Sequence, residues 1–185
     1  MKKIIVVLGT PCSGKDTHAK LLAKKLSYEY LSADDLIAEE IKNKTKIGLI
    51  AEKYSKSTEK MPDEYLIMLI KDVIINLKEE GIVFNQFPKT LTQAKALETF
   101  LFSRKTNRPI AILLETELTT IVDRVKKNGG DKEKFKLLTN IYNSELKKVT
   151  DYYKAIGLSF NTSSKSIEVV SEEISKALKE KCLLT

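Results

Sequence analysis

Gly9, Gly14 and Lys15 stand in the run Leu8-Gly9-Thr10-Pro11-Cys12-Ser13-Gly14-Lys15-Asp16-Thr17, directly after the apolar stretch Ile4-Ile5-Val6-Val7. Glycines at this spacing let a backbone curl until its N–H groups converge on phosphate oxygens, and a following helix adds its positive N-terminal end. Lys15 brings a fixed cation to the outer phosphates. A strand, a G-x-x-x-x-G-K loop and the helical run His18–Leu26 together read as a P-loop, so the chemistry to expect is the handling of a nucleoside triphosphate. Asp16 stands where such loops usually carry Ser or Thr, and the hydroxyl comes one residue later, at Thr17. A carboxylate among phosphates is repulsive unless a cation lies between them. Asp16 therefore has two readings: it organises Mg²⁺ together with Thr17, or it points away and caps or solvates the first helical turn, where a carboxylate is also favoured.

Such a loop needs a sheet to carry it. Short apolar runs predict strands at Ile4–Leu8, Gly81–Phe84 and Ile110–Leu114, with weaker signals at Tyr28–Ser32 and Leu158–Asn161. Helical patterns fall between them at Lys15–Leu26, Asp34–Lys42, Ile47–Tyr54, Asp63–Lys78, Leu91–Phe102, Leu118–Lys127, Lys132–Ala155 and Ser166–Glu180. Near-continuous apolarity in the first and fourth strands suits burial on both faces, as in a parallel sheet covered by helices. The alternation predicts an α/β fold: a doubly wound parallel five-stranded P-loop sheet with helices on both faces and ligands at the carboxyl ends of the strands. Between the second and third strands two or three helices replace one, which predicts a small helical insertion over the sheet.

The chain of 185 residues suits a single domain over 1–185. Its net charge of +7 comes from lysines spread along the whole length, without a dense basic block, so a nucleic-acid face is not expected. No stretch is long and apolar enough for a membrane span, and Met1-Lys2-Lys3 runs straight into a β-branched strand with no signal-peptide pattern. Cys12 and Cys182 lie near opposite ends and imply no disulfide framework. A cytoplasmic monomer is expected, with nucleotides as its only partners. Arg104, Arg108 and Arg124 are the only arginines. That poverty is notable, because Arg is the usual bidentate ligand for phosphate.

From the P-loop onward the chain resembles the adenylate kinase group of nucleoside monophosphate kinases. The family's G-x-P-G-x-G-K-G-T-Q is matched by Gly9 through His18, including the displaced Thr17. Its S-T-G-D appears as Ser32-Ala33-Asp34-Asp35, its V-P-D-E as Met61-Pro62-Asp63-Glu64, and its D-G-F-P-R-T as Asn85-Gln86-Phe87-Pro88-Lys89-Thr90, followed by Gln93. Its D-Y-Y stands as Asp151-Tyr152-Tyr153. The residues read independently in the same sense. Pro62 before Asp63 and Glu64 is a helix start, and Phe87-Pro88 turns the chain at a strand's carboxyl end. Lys89 and Gln93, four apart on the next helix, are expected to face one way.

The resemblance implies a kinase that moves the γ-phosphoryl group of ATP, with Mg²⁺, onto a nucleoside monophosphate. It implies ATP contacts from Gly9, Pro11, Cys12, Ser13, Gly14, Lys15, Asp16 and Thr17, with Arg124 beside the base and Lys165 as a further contact. Lys15, Lys89 and Arg124 are the implied catalytic residues. Asp35, Lys60, Met61, Gln86, Lys89 and Gln93 are the implied acceptor site. The insertion for the monophosphate is expected at about 33–62, and the lid at about 125–131 is reduced to Asn128-Gly129-Gly130. The departures fall where phosphate chemistry sits: Ala33 for Thr, Ala38 and Leu138 for arginines, Lys89 for the arginine of F-P-R, and Asn85 for the aspartate that organises Mg²⁺ through water. They predict reduced or altered activity. They also leave two other readings open, a nucleotide-binding protein impaired in catalysis and a small-molecule kinase with a non-nucleotide acceptor. Cys12 is read as a small residue in place of glycine. His18, without a second metal ligand, is read as structural or solvated.

Overall fold

The computed structural model describes residues 2–127, 144–154 and 156–180. Its strands are β1 (Lys3–Gly9), β2 (Glu29–Ser32), β3 (Gly81–Asn85), β4 (Ile110–Glu115) and β5 (Leu158–Asn161). They form one sheet in the order β2-β3-β1-β4-β5, parallel throughout. The helices are α1 (Lys15–Leu26), α2 (Ala33–Lys42), α3 (Lys46–Ser55), α4 (Asp63–Asn76), α5 (Leu91–Ser103), α6 (Leu118–Lys127), α7 (residues 144–154) and α8 (Ile167–Glu180). Three helices separate β2 from β3, where two or three were expected. The lid tripeptide Asn128-Gly129-Gly130, Leu138, the predicted start of the long helix at Lys132, and Cys182 lie outside the described residues.

Side chains alternate across a strand, so an unbroken apolar strand feeds two cores. Ile4, Val6 and Leu8 pack with Leu36 of α2, Leu69 and Ile70 of α4, Leu97 and Leu101 of α5, and Val149 and Tyr153 of α7. Ile5 and Val7 face the other way, onto Ala19 and Leu22 of α1 and Val170, Ile174 and Leu178 of α8. Each fully buried side chain of this size contributes about 1.5–3 kcal/mol. Truncating a central one such as Phe84, which is 0 % exposed, is expected to cost about 3–5 kcal/mol. Among the described residues no helix is long and apolar enough to cross a membrane.

Helix starts are marked by local chemistry. Thr45 Oγ1 accepts from the Gly48 N–H at 2.9 Å and opens α3, and Thr90 Oγ1 accepts from the Gln93 N–H at 3.1 Å and opens α5. Pro62 is the N-cap of α4, with Asp63 and Glu64 in its first turn. Gly48 is where α2 and α3 touch: a Cβ there would lie 1.9 Å from the Glu40 carbonyl oxygen. The parallel register brings Gly9, Ser32, Asn85 and Glu115 to one edge of the sheet, with Val7 and Ser32 both opposite Asn85.

Candidate active site

The turn after β1 requires left-handed backbone. Cys12 takes φ 62° and Gly14, the N-cap of α1, takes φ 90°, a region that glycine enters freely and other residues uncommonly. The loop is held from behind. Arg124 Nη1 donates to the Cys12 carbonyl at 2.9 Å, and Thr162 Oγ1 donates to the Ser13 carbonyl at 3.1 Å. Arg124 Nη2 also donates to the Thr162 carbonyl at 2.6 Å, so α6, the end of β5 and the loop form one brace. In a trans peptide the N–H points opposite to its C=O. Anchoring the Ser13 carbonyl therefore turns the Gly14 N–H away from Thr162, at the positive end of α1. The Ser13 N–H is taken by the Thr10 carbonyl at 3.1 Å. Lys15 is buried, with its Nζ 3.4 Å from Asp16 Oδ2.

Asp16 turns toward β3. Its Oδ1 accepts from Asn85 Nδ2 at 2.5 Å and from Gln86 Nε2 at 3.4 Å. Burial pushes its pKa up, but the Asn85 hydrogen bond, the Lys15 charge and Gln86 outweigh it, leaving the carboxyl below its ordinary value and ionised at neutral pH. Asn85 is buried, and its Nδ2 also donates to the Tyr30 hydroxyl at 3.1 Å. Thr10 Oγ1, Ser13 Oγ and Asn85 Oδ1 are buried around the loop without a hydrogen-bond partner in the protein. Buried polar atoms are ordinarily paired, so their orphaning here fits a polar ligand at the loop. The Asp16 carboxylate and the exposed Thr17 hydroxyl add hard oxygens that suit Mg²⁺ shared with phosphate. Among the described residues no group of three or more His, Cys, Asp and Glu side chains could hold a metal ion unaided. An ion here would need phosphate or water oxygens as well.

A second, apolar cavity of about 560 Å³ opens beside the loop. Pro11 of the loop forms one wall, with Ile37, Met61 and Leu66 as the greasy lining and Lys60, Asp63, Lys89, Thr90, Gln93 and Glu145 as the polar groups. Gln93 is buried and held on both sides: its Oε1 accepts from the Lys89 N–H at 2.7 Å, and its Nε2 donates to Asp63 Oδ1 at 2.6 Å. Thr90 Oγ1 donates to the other Asp63 oxygen at 2.5 Å. Lys89 Nζ is paired with Asp34 Oδ1 at 2.5 Å.

Lys89 does not lie on the helix with Gln93, as helical spacing predicted. Thr90 caps α5, so Lys89 is left in the preceding turn, and it meets Gln93 through its backbone N–H. The two still line one cavity. The signal was present: Thr90-Leu91-Thr92-Gln93 has capping-box spacing.

The remaining implied residues fall in different places. Gln86, with φ 60°, joins the loop cluster through Asp16 instead of lining the cavity. Asp35 is exposed in the first turn of α2 and is not part of the cavity lining. Lys165 is held by both Glu173 carboxylate oxygens, at 2.6 and 2.8 Å. His18, read as structural or solvated, falls on the buried face of α1. It is buried with Nδ1 3.1 Å from Ser171 Oγ, and burial first, then the Arg124 charge, hold its pKa below the ordinary value. Sequence reasoning missed Thr162 and Tyr30. Thr162 directly follows β5, at the carboxyl edge where this kind of sheet binds its ligands, and that position was the available signal. Tyr30 had none.

A P-loop on β1, a braced phosphate cradle and an adjoining cavity under helices inserted between β2 and β3 define a phosphotransferase of the nucleotide-kinase class. The adenylate kinase family pattern matches residues 7–158. Relatives covering most of the chain include the adenylate kinases of Flavobacterium psychrophilum, 34% identical over 81% of this chain and 84% of that protein, and of Bacteroides thetaiotaomicron, 31% identical over 81% and 84%. The adenylate kinase of Bacteroides fragilis is 29% identical over 94% of this chain and 97% of its own. The chain belongs to the adenylate kinase family and is a phosphotransferase of the nucleoside monophosphate kinase type.

Proposed function

We propose that the protein transfers the γ-phosphoryl group of ATP to AMP, with ATP on the P-loop and the monophosphate in the cavity bounded by Met61 and Gln93. One observation carries this reading: Pro11 belongs both to the phosphate loop and to the cavity wall. A ligand in the cavity thus lies next to the outer phosphates of a triphosphate on the loop. The names of the relatives support AMP as acceptor.

In this reading Lys15 and the Gly14 N–H hold the triphosphate, with Gly9, Pro11, Cys12 and Ser13 giving the loop its path. Arg124 gives one donor from each of Nη1 and Nη2 to backbone carbonyls, and in this reading its planar guanidinium stacks on the ATP base. Lys165 would approach the nucleotide from its pairing with Glu173. Lys60 and Lys89 meet the acceptor's phosphate, and Gln93 and Met61 its base. Asp16 and Thr17 would hold Mg²⁺, which when bound neutralises phosphate charge and orients the transferring group. The insertion at about 33–62 serves the acceptor. Cytoplasmic location and a monomeric state belong to the same reading.

Transfer is slow in this proposal. Arg108 pairs with Glu98 and Arg124 with backbone carbonyls, and none of the three arginines lines the cavity. Losing one donor aimed at transition-state charge costs about 10²–10³ in turnover. The assignment is tested with a dinucleoside polyphosphate long enough to span both subsites. It is expected to compete with ATP and with AMP alike. Competition with ATP alone would contradict the placement of the acceptor.

A further inference from the structure

The Asp16 carboxylate stands in the first turn of α1, directly after a loop built to attract anions. Its position is fixed. Asn85 Nδ2 donates to both Asp16 Oδ1 and the Tyr30 hydroxyl, and reversing the amide would set Asn85 Oδ1 against the carboxylate. Gln86 Nε2 adds a second donor to the same oxygen. The other oxygen, Oδ2, faces Lys15 Nζ at 3.4 Å. A phosphate competes with this oxygen for the single charge of Lys15. Once a triphosphate draws Lys15 toward itself, Oδ2 is left bare beside phosphate oxygens of the same sign. Like charges at such range repel strongly when partly shielded from water. A divalent cation bridging carboxylate and phosphate reverses the sign of the contact, and Mg²⁺ favours one or two carboxylates plus phosphate oxygens.

We propose that Asp16 makes triphosphate binding conditional on a divalent cation: its carboxylate repels the metal-free nucleotide and helps to hold the metal-bound one. The inference rests on the assignment of ATP to the P-loop. Asp16 is a ligand-side group here, oriented by Asn85 and Gln86, whose own part is positioning.

The test is calorimetric titration of ATP into wild-type protein and the Asp16→Asn variant, in excess Mg²⁺ and in EDTA. Wild type is expected to favour the Mg²⁺ condition. Asp16→Asn is expected to lose about tenfold or more of that preference, the size of one charge-assisted contact, through unchanged or tighter metal-free binding and weaker metal-bound binding. A second variant, Asp16→Asn with Asn85→Asp, returns the carboxylate to the neighbouring side chain and is expected to recover the preference. Equal wild-type affinities in the two conditions, an undiminished preference in Asp16→Asn, or a folded double variant that recovers nothing would overturn the role of Asp16. Wild-type protein that binds ATP in neither condition would instead contradict the nucleotide assignment itself.

Discussion

The guanidinium of Arg124 donates to the backbone carbonyl of Cys12 at 2.9 Å, tying α6 to the turn of the P-loop across 112 positions of sequence. Its second arm reaches the Thr162 carbonyl, so one planar fork joins the P-loop to the segment that follows β5. Lysine has the charge without the fork. Arg124→Lys is expected to destabilise the fold by about 1.5–3 kcal/mol in urea unfolding, the range for hydrogen bonds to charged groups. It should also weaken ATP binding by calorimetry. Unchanged values in both would show that the loop keeps its shape without this brace.

Lys89 meets Asp34 at 2.5 Å, so its single charge is already shared before an acceptor arrives. Arginine at this place could keep Asp34 on one edge and offer a second pair of donors to phosphate. Lys89→Arg is expected to raise turnover with AMP and lower its KM. If turnover falls or stays level for every monophosphate tested, Lys89 does not face the acceptor's phosphate.

Much of this arrangement was legible in the sequence. Element boundaries follow from local chemistry, such as Pro62 before two carboxylates or a P-loop between an apolar run and a helix, and local chemistry is what a sequence displays. Direction and pairing are not local. Asp16 could have capped its own helix; its turn toward β3 depends on Asn85, brought alongside by the β1–β3 register. Arg124 could be placed beside the nucleotide by resemblance, but its hold on Cys12 and Thr162 depends on where β5 ends. The error over Lys89 has a different origin. Helical spacing was counted back through the N-cap Thr90 onto a residue that precedes the helix.

Gly48 makes the contact between α2 and α3 possible, because a Cβ there would overlap the Glu40 carbonyl. Gly48→Ala is expected to part the two helices and lower stability by about 1–3 kcal/mol, as overpacking does. The acceptor's KM should rise more than that of ATP, because α2 contributes Ile37 to the cavity. An equal rise for both substrates would separate α2 from acceptor binding.

Burial and the Arg124 charge hold the His18 pKa below its ordinary 6.5 in the folded chain. As pH falls through 6.5 the unfolded chain takes up the proton first, so the folded state loses stability on the acid side and keeps it above. His18→Gln should flatten this part of the stability profile, measured by urea unfolding on either side of pH 6.5. A profile of the same slope in the variant would assign the acid sensitivity to other groups.

The central claim is that a phosphoryl group passes from the P-loop to a nucleotide in the adjoining cavity. Label transfer from γ-labelled ATP, run separately with AMP, CMP, UMP and GMP, measures that passage directly. Labelled nucleoside diphosphate is expected, fastest with AMP, slow in absolute rate, and lost in Lys15→Ala. ATP binding without labelled diphosphate from any of the four monophosphates would contradict it.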